Sequence, residues 1–195
     1  MTRRRQRRAF ARWEAETRAW ATGAGRALVL ALCGGQPAPV TPYRVGVALG
    51  DSEYPWAECP ARFLTEPPPA SQAAAASDWP PVRPWLVTSE RVVGRLGDER
   101  LYGYRWDHMV GCRVDLTQGS ERVVLDQDGQ PPLTWTGPGI APLAVAAVYR
   151  LHGAPALLDH PGLASLRSGG VAPRTEVRPA AELPPVHAIP AEWWR

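Results

Sequence analysis

The sequence predicts an α+β fold in which an antiparallel sheet of seven or eight short strands lies between two helices. Three observations carry that prediction. Residues 3–32 repeat apolar side chains at steps of three and four, residues 40–133 break into short extended runs separated by turn residues, and residues 140–151 return to a helical stripe. The chain has 195 residues, 45% of them hydrophobic, which suffices for one domain of roughly 100–150 residues with extensions.

The first helix places Phe10, Trp13, Thr17, Trp20, Ala24, Ala27 and Ala31 on one face, with most arginines elsewhere. Gly23 and Gly25 weaken its middle, so the pattern fits one long helix or two shorter ones. Gly34, Gly35 and Pro37 end it.

Strands are expected at Tyr43–Leu49, Trp56–Leu64, Trp85–Thr88, Arg91–Leu96, Leu101–Trp106, Gly111–Thr117, Arg122–Asp126 and Pro132–Thr136. Cys112, Val114 and Leu116 alternate with Arg113, Asp115 and Thr117, giving one apolar and one polar face. Turns are marked by Gly97-Asp98-Glu99, Gln118-Gly119-Ser120 and Asp128-Gly129, the last a strong hairpin signal. Residues 67–84 are rich in Pro, Ala and Ser, lack apolar periodicity and read as a flexible loop.

After the sheet, Ile140, Leu143, Ala144, Ala147, Val148 and Leu151 form a helical stripe; Pro142 fits the first turn and Gly153 closes the end. A short helical segment follows over 154–167, with Asp159 capping or beginning the helix Gly162–Leu166. The expected layout is a basic helical extension (1–35), a sheet-and-helix domain (40–153), that short segment, and a Pro-rich disordered tail (168–195).

Net charge is +3, but residues 1–35 hold eight Arg against Glu14 and Glu16, so the remaining 160 residues sum to −3. Every basic residue is Arg, Lys and Asn are absent, and Ile and Phe occur twice each. That bias reads as a GC-rich gene of actinobacterial type and says nothing about function. Cys33, Cys59 and Cys112 are too few and scattered for a disulfide framework, so free thiols and a cytoplasmic location are expected. Arg3, Arg4 and Arg5 ahead of Ala27–Cys33 imitate a signal peptide, but Glu14, Glu16, Arg18 and Arg26 interrupt the stretch. No run approaches the roughly 18 apolar residues of a membrane span.

Three constellations are tested for chemistry. His108 and Cys112 are the close pair of metal-ligating types, four apart on a strand, and two ligands do not make a site. Asp159, His160 and Ser165 lack a nucleophile elbow and sit beside a Pro-Gly turn. Gly137-Pro138-Gly139 precedes a helix, yet Pro138 donates nothing and the glycine spacing fits neither nucleotide fingerprint. No catalytic residue, metal, cofactor or small-molecule substrate is therefore expected.

The segment Trp85-Leu86-Val87-Thr88-Ser89-Glu90-Arg91-Val92-Val93 resembles the L-x-x-T-x-x-R-L hairpin of bacterial pleckstrin-homology-like and GRAM-like domains. Tyr104-Arg105-Trp106-Asp107-His108-Met109-Val110 is similar to their W-x-x-I strand opening, with Val110 near the Ile position. The resemblance covers roughly Leu49 to His152. It implies a bent, partly open barrel of about seven strands capped by the final helix, and binding in place of catalysis. Family members that bind phosphoinositide headgroups carry Lys and Arg on the first hairpin, whereas Gly50-Asp51-Ser52-Glu53 through Glu58 is acidic here.

The function expected is a non-enzymatic cytoplasmic adaptor whose partner is another protein. The alternative is contact with nucleic acid or an anionic membrane through Arg3, Arg4, Arg5, Arg7 and Arg8, supported by Trp13 and Trp20. A third reading docks that helix on the sheet and leaves its arginines solvated. Trp85, Trp106 and Trp135 are expected in the core, and Trp193 and Trp194 either engage a partner or fold back on the domain.

Overall fold

The computed structural model describes residues 3–35, 45–64, 81–96 and 100–167. The turn at 97–99, most of the expected 67–84 loop and the tail from residue 168 onward lie outside the described residues.

One continuous helix, α1 (Arg3–Cys33), opens the chain. Seven antiparallel strands follow: β1 (Pro55–Leu64), β2 (Arg83–Thr88), β3 (Arg91–Arg95), β4 (Leu101–Arg105), β5 (Met109–Asp115), β6 (Arg122–Gln127) and β7 (Gln130–Thr136). A 3₁₀ turn at Trp106–His108 joins β4 to β5. After the sheet come α2 (Ala141–Asp159), a 3₁₀ turn at Pro161–Leu163 and α3 (Ala164–Arg167).

The strand order is β4-β3-β2-β1-β7-β6-β5. β1 is the hinge of this arrangement: its first part pairs with β2 through Ala57 to Ala61, and its last three residues pair with β7. Two hairpin layers therefore share one strand, and Phe63 sits where they meet. Its ring lies 4.9 Å from that of Trp135 and 5.0 Å from that of Trp85, with both tryptophans fully buried. Trp106 is buried as well, so the three strand-associated tryptophans are core residues as the sequence reading had them. Asp128-Gly129 turns β6 into β7 with Gly129 at φ 63°.

α2 departs from the expected stripe. Every residue from Ala141 to Val148 is buried, because the sheet covers one side of the helix and α1 covers the other. By length and composition alone α2 could cross a membrane, but half of that stretch is buried within this fold. Gly153, at φ 79° and ψ 175°, breaks the helix where closure was expected, yet the chain resumes helical turns to Asp159. α1 is buried at Trp13, Thr17, Ala21, Gly25, Leu28 and Ala31, a face rotated from the expected one: Ala24 is half-buried and Ala27 exposed. Small residues let the two helices approach; a Cβ at Gly25 would lie 3.3 Å from Ala141 Cβ and from Leu166 Cδ1.

Further expectations need correction. Residues 45–49 are not a strand, although Val45 and Val47 are buried against Leu86 and Val93. Arginine side chains from β3 take the carbonyls that a ladder would have used: Arg91 Nη2 donates to Ala48 O at 3.1 Å and Arg95 Nε to Val45 O at 3.4 Å. β2 begins at Arg83, inside the stretch read as loop. Asp159 ends α2, and His160 supplies the cap of the next turn, its Nδ1 accepting from Gly162 N–H at 3.2 Å. Val110 is 66% exposed and Met109 6%, so Met109 holds the inward position assigned to Val110.

Candidate functional site

The basic arm divides into an exposed and a docked part. Arg4, Arg5, Arg7 and Arg8 are exposed on the opening turns of α1, which also include Arg3. Trp13 is buried and stacked with Phe10 at 5.6 Å, and Trp20 packs against the main core. These aromatics are committed to packing. Farther along, Arg18 pairs with the buried carboxylate of Glu121, which also accepts from Gly119 N–H at 3.0 Å, tying α1 to the β5–β6 turn. Trp193 and Trp194 lie outside the described residues.

A cleft of about 230 Å³ opens where the C-terminal half of α1 meets the end of α2 and α3. Val29, Leu30, Leu157, Leu163 and Leu166 line it, with Arg26 and Arg167 at its margin. Both guanidiniums are anchored by backbone carbonyls: Arg26 Nε donates to Leu166 O at 2.8 Å, and Arg167 Nη1 to His160 O at 3.0 Å. Leu30 remains 74% exposed beside this apolar surface, and Leu158 on α2 is 58% exposed.

The cysteine on β5 has partners that spacing did not reveal. Sγ of Cys112 lies 3.6 Å from Nε2 of His152, and ligand atoms of Cys112, His152 and His160 all fall within 4.8 Å of one another. The two imidazoles stack at 6.1 Å and 20°. Two glycines assemble the cluster. Gly153 turns the chain just after His152, and Gly162 lets the following 3₁₀ turn press onto β5, where a Cβ would overlap the Val114 carbonyl. His108, the expected partner of Cys112, is exposed in the 3₁₀ turn beside Asp107.

Burial pushes the Cys112 thiol up to about 11, with the Asp126 charge adding to it. The thiol therefore stays protonated at neutral pH, which makes Cys112 a poor nucleophile despite its imidazole neighbour. Burial, together with the charges of His152 and Arg167, holds the His160 imidazole below its ordinary value. Asp159 and Ser165 are exposed, and the His160 ring accepts from Gly162 N–H, so the Asp159-His160-Ser165 constellation is not assembled.

The acidic first hairpin is less acidic at its surface than its sequence suggests. Glu53 is buried and accepts from Arg91 Nε at 2.8 Å, Arg91 Nη2 at 2.9 Å and the Thr88 hydroxyl at 2.7 Å. Glu58 is 2% exposed. Gly139, in the turn before α2, is buried against Pro60, so the Gly137-Pro138-Gly139 segment is a packed connection.

No protein-family model matches the chain, and comparison with curated proteins and with solved structures likewise finds no match.

Proposed function

We propose that this protein is a non-enzymatic binding module of pleckstrin-homology-like fold, an adaptor that receives another protein in the α1–α3 cleft. The strand order, the shared β1 and the helix packed behind the sheet all suit a bent barrel capped by its final helix. The observation that carries the functional reading is the cleft itself. At about 230 Å³ it is smaller than the roughly 300–1,000 Å³ of small-molecule sites, and it is lined by leucine and valine with no acid or base to do chemistry. An apolar side chain fits that space. Arg26 and Arg167 at the margin favour an anchor flanked by Asp or Glu.

A second reading has its own observation, the four exposed arginines Arg4, Arg5, Arg7 and Arg8, which suit phosphates of nucleic acid or lipid. One experiment separates the two. With a photo-crosslinking residue in place of Leu30 in the full chain, the adaptor reading expects adducts to a protein segment with an apolar residue beside carboxylates. With the crosslinker kept at Leu30, Val29→Glu in the cleft wall should abolish capture while Val110→Glu leaves it intact. Adducts confined to the chain's own residues 168–195 would replace the adaptor reading with a self-docking tail. A contact that weakens about 100-fold between roughly 50 and 200 mM salt, as four phosphate contacts would, belongs to the arm.

A further inference from the structure

Cys112 stands on β5, while His152 lies within α2 and His160 caps its end, and no side chain of the three lines the cleft. Their donor set is one sulfur and two imidazole nitrogens, which suits borderline-soft divalent ions and not Mg²⁺ or Ca²⁺, whose preferred partners are oxygens. Geometry supplies the second argument. Zinc takes sulfur at about 2.3 Å and nitrogen at about 2.0–2.1 Å, so two ligands at a tetrahedral angle stand about 3.5 Å apart. The Cys112 Sγ to His152 Nε2 separation is 3.6 Å, already that of one tetrahedral edge. No ligand atom is farther than 4.8 Å from another, so the widest edge needs to shorten by up to about 1.3 Å.

That adjustment falls on the His160 ring. Its one hydrogen bond, from Gly162 N–H to Nδ1 at 3.2 Å, is at the long end of the range and is exchanged for the metal bond. A metal on Nδ1 displaces the Gly162 donor directly, and a metal on Nε2 moves the ring proton to Nδ1. The backbone can stay where it is, since Gly162 is already pressed against Val114 and Gly153 has already turned the chain. Access is open: His152 is exposed, and Cys112 and His160 are half-buried.

We propose that Cys112, His152 and His160 form a zinc-class metal site with three protein ligands and a fourth position left to water or an external donor. Binding converts the thiol to a thiolate and releases its proton to solvent; no electron transfer is involved. Three ligands with an open position are the pattern of an exchangeable or reactive centre, in contrast to the closed four-ligand structural type.

The test uses the full chain, reduced and metal-free, titrated with Co²⁺ alone and then with Zn²⁺. The expected result is one ion per chain, with a thiolate-to-cobalt charge-transfer band in the near ultraviolet that zinc displaces. Cys112→Ser should remove the band, and His152→Gln and His160→Gln should each weaken binding by at least about 10-fold, the scale at which even outer-shell partners act. His152 is exposed, so His152→Gln keeps the fold if Cys112→Ser does not. At the same free concentration, zinc should also raise the Tm of the parent chain by more than that of His152→Gln. Absence of the charge-transfer band, unchanged affinity in His152→Gln, or an equal loss in His108→Ala would overturn the assignment.

Discussion

Thr88 shows how a short motif does structural work. Its hydroxyl accepts from the backbone N–H of Glu90 at 3.2 Å and of Arg91 at 3.0 Å, closing the β2–β3 turn, and donates to Glu53. Arg91 then grips the same carboxylate. Burial would raise the Glu53 carboxyl, but the hydrogen bonds from Arg91, Thr88 and Gly50 outweigh it and hold the group below its ordinary value of 4.5. A folded-state value below the unfolded one gives stability that is present above pH 4.5 and lost as pH falls through the folded value. Glu53→Gln should therefore cost about 2 kcal/mol at pH 7, and the gap to the parent should narrow below about pH 4 in urea-unfolding midpoints. A gap that stays constant to pH 3 would mean the clamp carries no net charge effect. Thr88 and Arg91 were legible because they recur within one hairpin, whereas Glu53 was read as a surface acid because its partners are 35 and 38 residues away. The same distance hid the metal-type cluster. Spacing along a strand pointed from Cys112 to His108, but β5 starts only at Met109, with an irregular register at its opening, and the real neighbours arrive from beyond the sheet.

At the scale of elements, periodicity located α1 and all seven strands to within a few residues and α2 as far as its break at Gly153, and two of its failures lie in what a stretch of chain packs against. Alternation of Val45 and Val47 with Gly46 and Ala48 correctly reported one buried side, yet a strand also needs a neighbour for its backbone, and Arg91 and Arg95 took that place. The buried face of α1 is also turned from the expected one, since Ala21, Gly25 and Leu28 are buried in place of Ala24 and Ala27, and which side meets α2 is set by the close approach of Gly25 to Ala141, which periodicity does not encode. Gly23 and Gly25 looked alike as helix-weakening residues. The structure separates them: a Cβ at Gly23 meets nothing within 4 Å, while one at Gly25 meets Ala141 and Leu166 at 3.3 Å. Gly23→Ala should stabilise the protein by about 0.5–1 kcal/mol through helix propensity alone. Gly25→Leu should destabilise it by about 1–3 kcal/mol, because the added atoms have no room between the helices. Equal effects from the two substitutions in thermal unfolding would show that α1 does not pack on α2 at this crossing.

For the whole molecule the question is how much of α1 belongs to the core. α2 has no solvent face along Ala141 to Val148, so its side away from the sheet is kept from water by α1. Ala21 and Leu28 join the same buried cluster as Trp85, Trp135 and Leu143, which makes the helix from Trp20 onward part of one core with the sheet. Sequence reading could not see this, because the contacts that bind α1 to the rest span more than a hundred residues, as between Arg26 and Leu166 or Arg18 and Glu121. The opening turns differ. Arg4, Arg5, Arg7 and Arg8 are exposed, and the stacked pair Phe10 and Trp13 marks where packing begins. Two truncations should then behave oppositely. A chain starting at Phe10 should unfold cooperatively with Tm within about 2 °C of the parent, since the described side chains it removes, Arg4, Arg5, Arg7, Arg8 and Ala9, are exposed. A chain starting at Gly35 should aggregate or lose its cooperative transition, because it uncovers the outer side of α2 and leaves Glu121 buried without its arginine. If the shorter chain instead melts cooperatively near the parent Tm, α1 is an appended arm, and the cleft it forms with α3 cannot be a stable docking surface.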